Sequence, residues 1–422
     1  DLLISLVSIG SFISIAIYLI AKPLIINEFS EKSALFIDYF YFCIPLFSFQ
    51  AFYEFLSGYC RALKKSALPI FVYEVIPRAL ITGFLFIYHF DLISFRIFMI
   101  LFIGAYMAAT ALLLTFLLIK RFIRFSYNYR KIDLRTLKEI LNFGMFSMLQ
   151  IMGGIFINNI DAIMIGTMLG LNEVAIYSFG FYVAKVALIP SKSLMRAISA
   201  PISESLKNND QKRLERLYRQ SSINQFFLGG VIFLLIMINI KLLYNLIPGK
   251  YDDSFWVIVI LGSGFLINLL NGSNTAIINL SKYYRFNFWL NFALMGLTYG
   301  SNLFFIPRYG LLGAAFATAS SMIIIQIVRT LKVYYHYRLA PFSTRSASTV
   351  ILLIGGYFLI SYIPIFIVEG HSYVESTVNV IIRSLASLIL LIVWFKIYPP
   401  SLEIRESINK SLDRFLPFSF RI

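Results

Sequence analysis

The chain has 422 residues, 59% hydrophobic and 14% charged, with a mean hydropathy of +0.78. An ordinary soluble domain carries ~25% charged residues, and 42 Phe exceed what a globular core of this length hides, so a water-soluble fold is excluded. The net charge of +16 does not point to nucleic acid, because its basic residues cluster in short loops between apolar spans, where they act as membrane orientation signals.

A helix needs ~20 apolar residues to cross a bilayer, and in chain order the hydropathy predicts twelve such spans: 2–21, 34–60, 68–90, 94–119, 140–168, 173–200, 221–247, 254–281, 285–306, 311–337, 347–367 and 376–397. The loops sort by charge. Those on one side, with the C-terminal tail, carry 26 of the 37 Lys and Arg, and those on the other side carry 6. Cytoplasmic loops attract positive charge, so Arg61–Lys65, Lys120–Lys138, Lys207–Arg219 and the C-terminus are expected in the cytoplasm. At an offset of 219 residues spans one to four repeat as spans seven to ten. Repeats of six helices would put both halves in the same orientation, with the substrate path between them. Two more helices are then expected ahead of Asp1, fourteen in all. A first residue that is not Met, with no basic region before the first span, likewise argues against an intact signal peptide.

The expected class is therefore all-α: a polytopic membrane bundle of about twelve helices in two parallel-repeat lobes plus a C-terminal helix pair. The expected parts are a four-helix N-terminal lobe at 1–125, a six-helix C-terminal lobe at 126–340, the extra pair at 341–398 and an amphipathic tail at 399–422. Between the lobes, Asp133 can cap an interfacial helix with Leu134, Leu137 and Leu141 on one face. After Pro399 and Pro400, Ile404, Ile408, Leu412 and Phe415 recur among Arg405, Lys410 and Arg414 as a surface anchor. Gly166 with Gly170, and Gly313 with Ala317 and Ser321, are small residues four apart that permit close helix packing. Cys43 and Cys60 lie 17 residues apart in one predicted helix, ~25 Å and beyond disulfide reach, so they read as two buried thiols. His89, His336 and His371 have no Cys or carboxylate at ligand spacing, so neither a metal nor a cofactor is expected.

Charges inside spans single out candidate sites, since each costs ~2.5–3.5 kcal/mol at mid-bilayer on insertion scales. Lys185, Lys192 and Arg196 fall within ~40° on one face of the sixth span, with Ser178 and Ser199 on the same stripe. Lys185 is ~18 Å deep, too deep to snorkel easily, and reads as lining a cavity; Arg196 lies nearer the end, where snorkelling competes. Pro190 allows a bend beside the stripe. Glu74 and Arg78, four apart around Pro77, can form an intrahelical ion pair that serves either neutralisation at a kink or ion coupling. Asp161 is a candidate for binding a proton or cation, for a sugar hydroxyl, or for bonding across helices. Glu54, with Gln50 a turn away, is a shallower coupling candidate, and Arg383 stands alone in the last span. Asn268, Asn271 and Thr275 share a face suited to interhelical bonds or to sugar hydroxyls. The cations Arg78, Lys185, Lys192, Arg196 and Arg383 outnumber Glu54, Glu74 and Asp161, so the expected cargo is an anion.

One set of motifs carries a resemblance: Phe143, Gly144; Asn159, Ile160, Asp161; Ile165, Gly166; Leu169, Gly170; Ala175, Ile176, Tyr177; Ala200, Pro201; and Tyr309, Gly310, Leu311, Leu312, Gly313, Ala314, Ala315. The chain resembles, over essentially all its length, the polysaccharide biosynthesis (O-antigen flippase) branch of the multidrug/oligosaccharidyl-lipid/polysaccharide exporter superfamily. The resemblance implies a bacterial inner-membrane protein, multi-pass with a cytoplasmic C-terminus, that flips an undecaprenyl-diphosphate-linked oligosaccharide by alternating access, without enzymatic chemistry. It implies a cationic cavity, carried here onto Lys185, Lys192 and Arg196, and an acidic position, carried onto Asp161; the span charges and amides add Arg78, Asn268 and Asn271 as further candidate substrate contacts. Asp161, Glu74 and Glu54 are the candidates for coupling to a proton or sodium counter-ion. The implied partners are the lipid-linked anionic oligosaccharide and membrane lipids, not nucleic acid. Competing expectations are a cation-coupled multidrug exporter, which would want acidic cavity residues, and a lipid II flippase, which shares the anionic diphosphate. A membrane polymerase or ligase would want a larger outer loop than Lys22–Ser33, and that loop offers no nucleophile and base.

Overall fold

The computed structural model describes residues 2–29, 37–63, 67–120, 122, 144, 158–246, 251–361 and 372–397. The expected helix at Asp133 and the tail beyond Pro399 lie outside these residues, as does His371. The chain divides into two compact units, Asp1–Phe146 and Ser147–Ile422.

The first unit holds α1 (Leu2–Ile20), α2 (Lys22–Phe29), α3 (Cys43–Ala62, entered through a 3-10 turn at Phe40–Phe42), α4 (Ala67–His89) and α5 (Phe95–Ile119). Ser94 caps α5, its Oγ accepting the Ile97 N–H at 3.4 Å. Every fourth residue of α5, from Ala105 and Ala109 to Leu113 and Leu117, is buried against α3 and α4. The two small residues let the helices approach and the two leucines fill the widening gap beside Tyr53, Leu56, Cys60 and Val72. Tyr18 of α1 stacks on Phe40 at 4.4 Å and donates to its carbonyl at 3.1 Å. Neither cysteine forms a disulfide; Cys60 is buried as expected, whereas Cys43, at the open start of α3, is exposed.

The second unit holds α6 (residues 158–168), α7 (Leu171–Lys185), α8 (Ile189–Lys207), α9 (Gln211–Leu246), α10 (Phe255–Leu270), α11 (Asn274–Leu280), α12 (Tyr284–Tyr337), α13 (Thr344–Ser361) and α14 (Ser372–Ile397). The 36-residue α9 is its pillar, packed by α8, α10, α13 and α14. One predicted span is more elaborate than expected, and two others are joined into a hairpin. The span at 254–281 breaks at Gly272, whose φ of +59° suits glycine. There Ser222 of α9 donates to the Leu270 carbonyl, and the Ser221 hydroxyl oxygen accepts the Ser273 N–H at 3.2 Å. These serines satisfy backbone groups that the break frees inside an apolar layer. The 54-residue α12 turns back on itself at Gly310, with φ 57° and ψ −133°. Its halves run antiparallel, pairing Ser301 with Ser321 and Asn287 with Arg329; they are the expected spans at 285–306 and 311–337. At Gly313 a Cβ would sit 2.2 Å from the Phe305 carbonyl oxygen, so no larger residue fits that turn.

Among the described residues eight helices are long and apolar enough to cross a membrane, with α12 counted once and α7–α8 counted once. The chain is thus a multi-pass, all-helical membrane protein, though this count does not itself reach twelve.

Candidate functional site

The basic stripe lies where α7 passes into α8. α7 ends at Lys185, Val186–Leu188 form a 3-10 turn, and α8 begins at Ile189 with Pro190 in its first turn. Proline fits there because the first N–H groups of a helix have no intrahelical acceptor to lose. The bend expected at Pro190 is therefore a change of helix type three residues long. A 3-10 segment advances ~120° per residue instead of ~100°, which spreads Lys185, Lys192 and Arg196 over an arc of ~80°. Lys185 is half-buried; its Nζ donates to Asn158 Oδ1 at 3.3 Å and lies 4.8 Å from the Phe181 ring centroid. Lys192 and Arg196 are exposed. Among the described residues no carboxylate is paired with any of the three; the ion pairs are Glu74–Arg78, Glu204–Arg213 and Glu215–Arg219. Three such cations repel one another and together can hold a polyanion.

Asp161 of α6 has the opposite character. It is buried, 6% exposed, and takes three donors from three directions. The Tyr177 hydroxyl donates to Oδ2 at 2.6 Å, Asn302 Nδ2 to Oδ1 at 2.7 Å, and Thr318 Oγ1 reaches both oxygens at 2.8 and 2.7 Å. It therefore ties α6 to α7 and to both halves of α12. Asn302 Oδ1, fully buried beside it, has no hydrogen-bond partner.

The other candidates sit apart from these two. Glu74 and Arg78 pair with each other within α4, their side chains 48% and 74% exposed. Glu54 is exposed on α3, next to the Tyr53–Tyr73 ring pair, and Tyr73 donates to Gln50 Oε1 at 2.9 Å. Arg383 Nη1 donates to the Ile238 carbonyl at 3.3 Å, joining α14 to α9. Asn268 and Asn271 are engaged within the bundle: Gln326 donates to Asn268, and Thr330 donates to Asn271 Oδ1 at 2.6 Å. Asn274 Nδ2 completes this cluster, reaching Gln326 Oε1 at 3.1 Å and Thr330 Oγ1 at 3.2 Å, while Thr275 donates to Asn274.

The sequence reading missed Asn302, Thr318, Gln326 and Arg329. Arg329 lies inside the tenth predicted span but is not among the intramembrane cations singled out from the sequence, and it is only 8% exposed within α12. A signal was present: Asn287, Asn291, Thr298 and Asn302 recur at four, seven and four residues in an apolar span, marking one polar face.

Residues 93–253 match the family described as "Polysaccharide biosynthesis protein". The capsular polysaccharide biosynthesis protein CapF of Staphylococcus aureus is 26% identical over 182 residues, which is 42% of this chain and 44% of that protein. The match thus spans less than half of that relative's length. Among solved structures, the lipid II flippase MurJ in an inward closed conformation superposes with a TM-score of 0.68 at 15% identity, covering 93% of this chain and 83% of that one. The MATE transporter VcmN of Vibrio cholerae, in its bent form, matches more loosely, with a TM-score of 0.45 at 18% identity over 79% of this chain and 78% of that one. The MurJ likeness shows the fold, and the segment that holds the motifs from Asn159 to Tyr177 is similar to the polysaccharide biosynthesis family.

Proposed function

We propose that this protein flips an undecaprenyl-diphosphate-linked oligosaccharide across a bacterial inner membrane by alternating access, with its C-terminus in the cytoplasm. The observation that carries the proposal is the run Lys185, Lys192 and Arg196 with no carboxylate paired to it among the described residues. Uncompensated cations in a membrane-spanning helix cost several kcal/mol, and an anionic diphosphate offsets that cost when it binds. The sugars need hydroxyl-bonding groups nearby, and the lipid tail stays in the hydrocarbon.

Asp161 is the coupling candidate best supported by geometry. It is the buried member of the three proposed carboxylates, and it joins three helices. Binding a proton or a sodium ion there would change bonds to Tyr177, Asn302 and Thr318 together, so the ion and the helix arrangement are linked. A lipid II flippase is a second reading, favoured by the MurJ likeness. A multidrug exporter with a cationic cargo fits less well, since the stripe repels cations.

Purified protein in liposomes, assayed for flipping of undecaprenyl-diphosphate-linked oligosaccharide and of lipid II in parallel, tests the proposal. Oligosaccharide flipping that rises with an imposed proton or sodium gradient supports it. Flipping of lipid II alone would favour the second reading, and flipping of neither cargo would refute both.

A further inference from the structure

Independently of the cargo, the basic end of the α12 hairpin presents a second anion site. Arg329 is buried and bound by two amide oxygens of the facing half: its Nε donates to Asn287 Oδ1 at 2.8 Å and its Nη2 to Asn291 Oδ1 at 2.7 Å. Among the described residues no carboxylate pairs with it. Amide dipoles orient a guanidinium but do not neutralise it, and a buried, unneutralised charge is costly. Among the described residues the remaining nitrogen, Nη1, has no hydrogen-bond partner, and Asn291, bound to the neighbouring Nη2, is exposed. One edge of a fixed guanidinium fork is therefore open to an incoming anion.

More cations stand around that opening. Lys332, three residues on and therefore a neighbour on the same helix, reaches the same part of the facing half as Arg329. Its Nζ lies 4.7 Å from the ring centroid of Phe286, adjacent to Asn287, and 5.0 Å from that of Tyr283. Lys282 Nζ is 5.3 Å from the Tyr283 ring on its own account, and the His336 ring packs on Tyr283 at 4.1 Å. The same turns of α12 expose Tyr284, Phe288, Trp289 and Phe292, with Trp289 69% exposed. Tyr and Trp collect at the level of lipid head groups. Cations and amphipathic rings at one depth, on the side that the loop charges predict to be cytoplasmic, match an anionic lipid surface rather than bulk water.

We infer that Arg329 and Lys332, at the basic end of the α12 hairpin, bind the phosphate of an anionic phospholipid head group, with Arg329 as the buried inner contact and Lys332 and Lys282 at the rim. The bound lipid would hold the two halves of the hairpin together at the end opposite the Gly310 turn.

The test is lipid retention by the detergent-solubilised full chain, counted by native mass spectrometry with phosphatidylglycerol or phosphatidylcholine added. A competition arm adds inorganic phosphate. Phosphatidylglycerol is expected to bind in preference to phosphatidylcholine, and millimolar inorganic phosphate is expected not to displace it. Each cation removed weakens binding about fivefold, as ~1 kcal/mol per basic residue near a lipid surface implies. Lys332→Gln, at a half-buried position, reads this with less folding risk than Arg329→Gln at a buried one, while Arg308→Gln at the other end of the hairpin leaves binding unchanged. Equal retention of both lipids, displacement by inorganic phosphate, or undiminished binding in Lys332→Gln would each overturn the inference.

Discussion

The two units differ in how their intramembrane charges and amides are paired. In the first, Glu74 and Arg78 neutralise each other one helical turn apart on a largely exposed α4, only 11% of whose apolar window is buried. In the second, the window of α12 is 56% buried, and its polar residues bond across helices: Asn302 and Thr318 to Asp161, Gln326 to Asn268, Thr330 to Asn271, Arg329 to Asn287. Local pairing leaves a helix free to move as a body. Cross-helix pairing fixes register and makes the fold of one helix depend on the others. The second unit also carries the unpaired basic stripe, so its stable framework and its exposed charge sit side by side.

Several substitutions break or sharpen that contrast. The largest effect on transport is expected from Lys185→Ala combined with Lys192→Ala, which lowers flipping at least tenfold in a liposome assay while moving the melting temperature in detergent far less than Asp161→Ala does, because Lys192 is exposed and Lys185 only half-buried. Asp161→Ala acts on stability instead. It strands the donors of Tyr177, Asn302 and Thr318, each unsatisfied group costing ~1–3 kcal/mol, and thermal unfolding should show a drop of several degrees or loss of the folded protein. Gly313→Val forces side-chain atoms onto the Phe305 carbonyl and costs about 1–3 kcal/mol, read as a smaller fall in melting temperature. At the bottom of the scale, Glu74→Gln removes an exposed pair worth no more than about 0.5 kcal/mol. A melting shift as large as that of Asp161→Ala would show that α4 is not the loosely tied helix it looks to be.

The same contrast decides what was legible in the sequence. An i,i+4 pair such as Glu74 and Arg78 is encoded locally, and the structure forms it. So are span positions, because twenty apolar residues must find a bilayer, and the spacing of Lys185 and Lys192 in one span. Gly272 and Gly310 were legible as glycines but not as a break and a reversal, since a positive φ is imposed by the surroundings. The partners of Asp161 lie 141 and 157 residues away, at Asn302 and Thr318, and no periodicity within one helix reports on a partner in another. Arg329 was hidden for the same reason: its burial is set by Asn287 and Asn291 of the facing half of α12.

Thiol labelling of Lys192→Cys, in a chain carrying Cys43→Ser and Cys60→Ala, bears most directly on the idea that the basic stripe faces water and an anionic cargo. In intact membranes a charged, membrane-impermeant thiosulfonate should modify Cys at this position from one side, and undecaprenyl-diphosphate-linked oligosaccharide should slow the reaction. Modification only by a lipid-soluble maleimide, indifferent to cargo, would place the stripe against hydrocarbon and contradict the proposed transport.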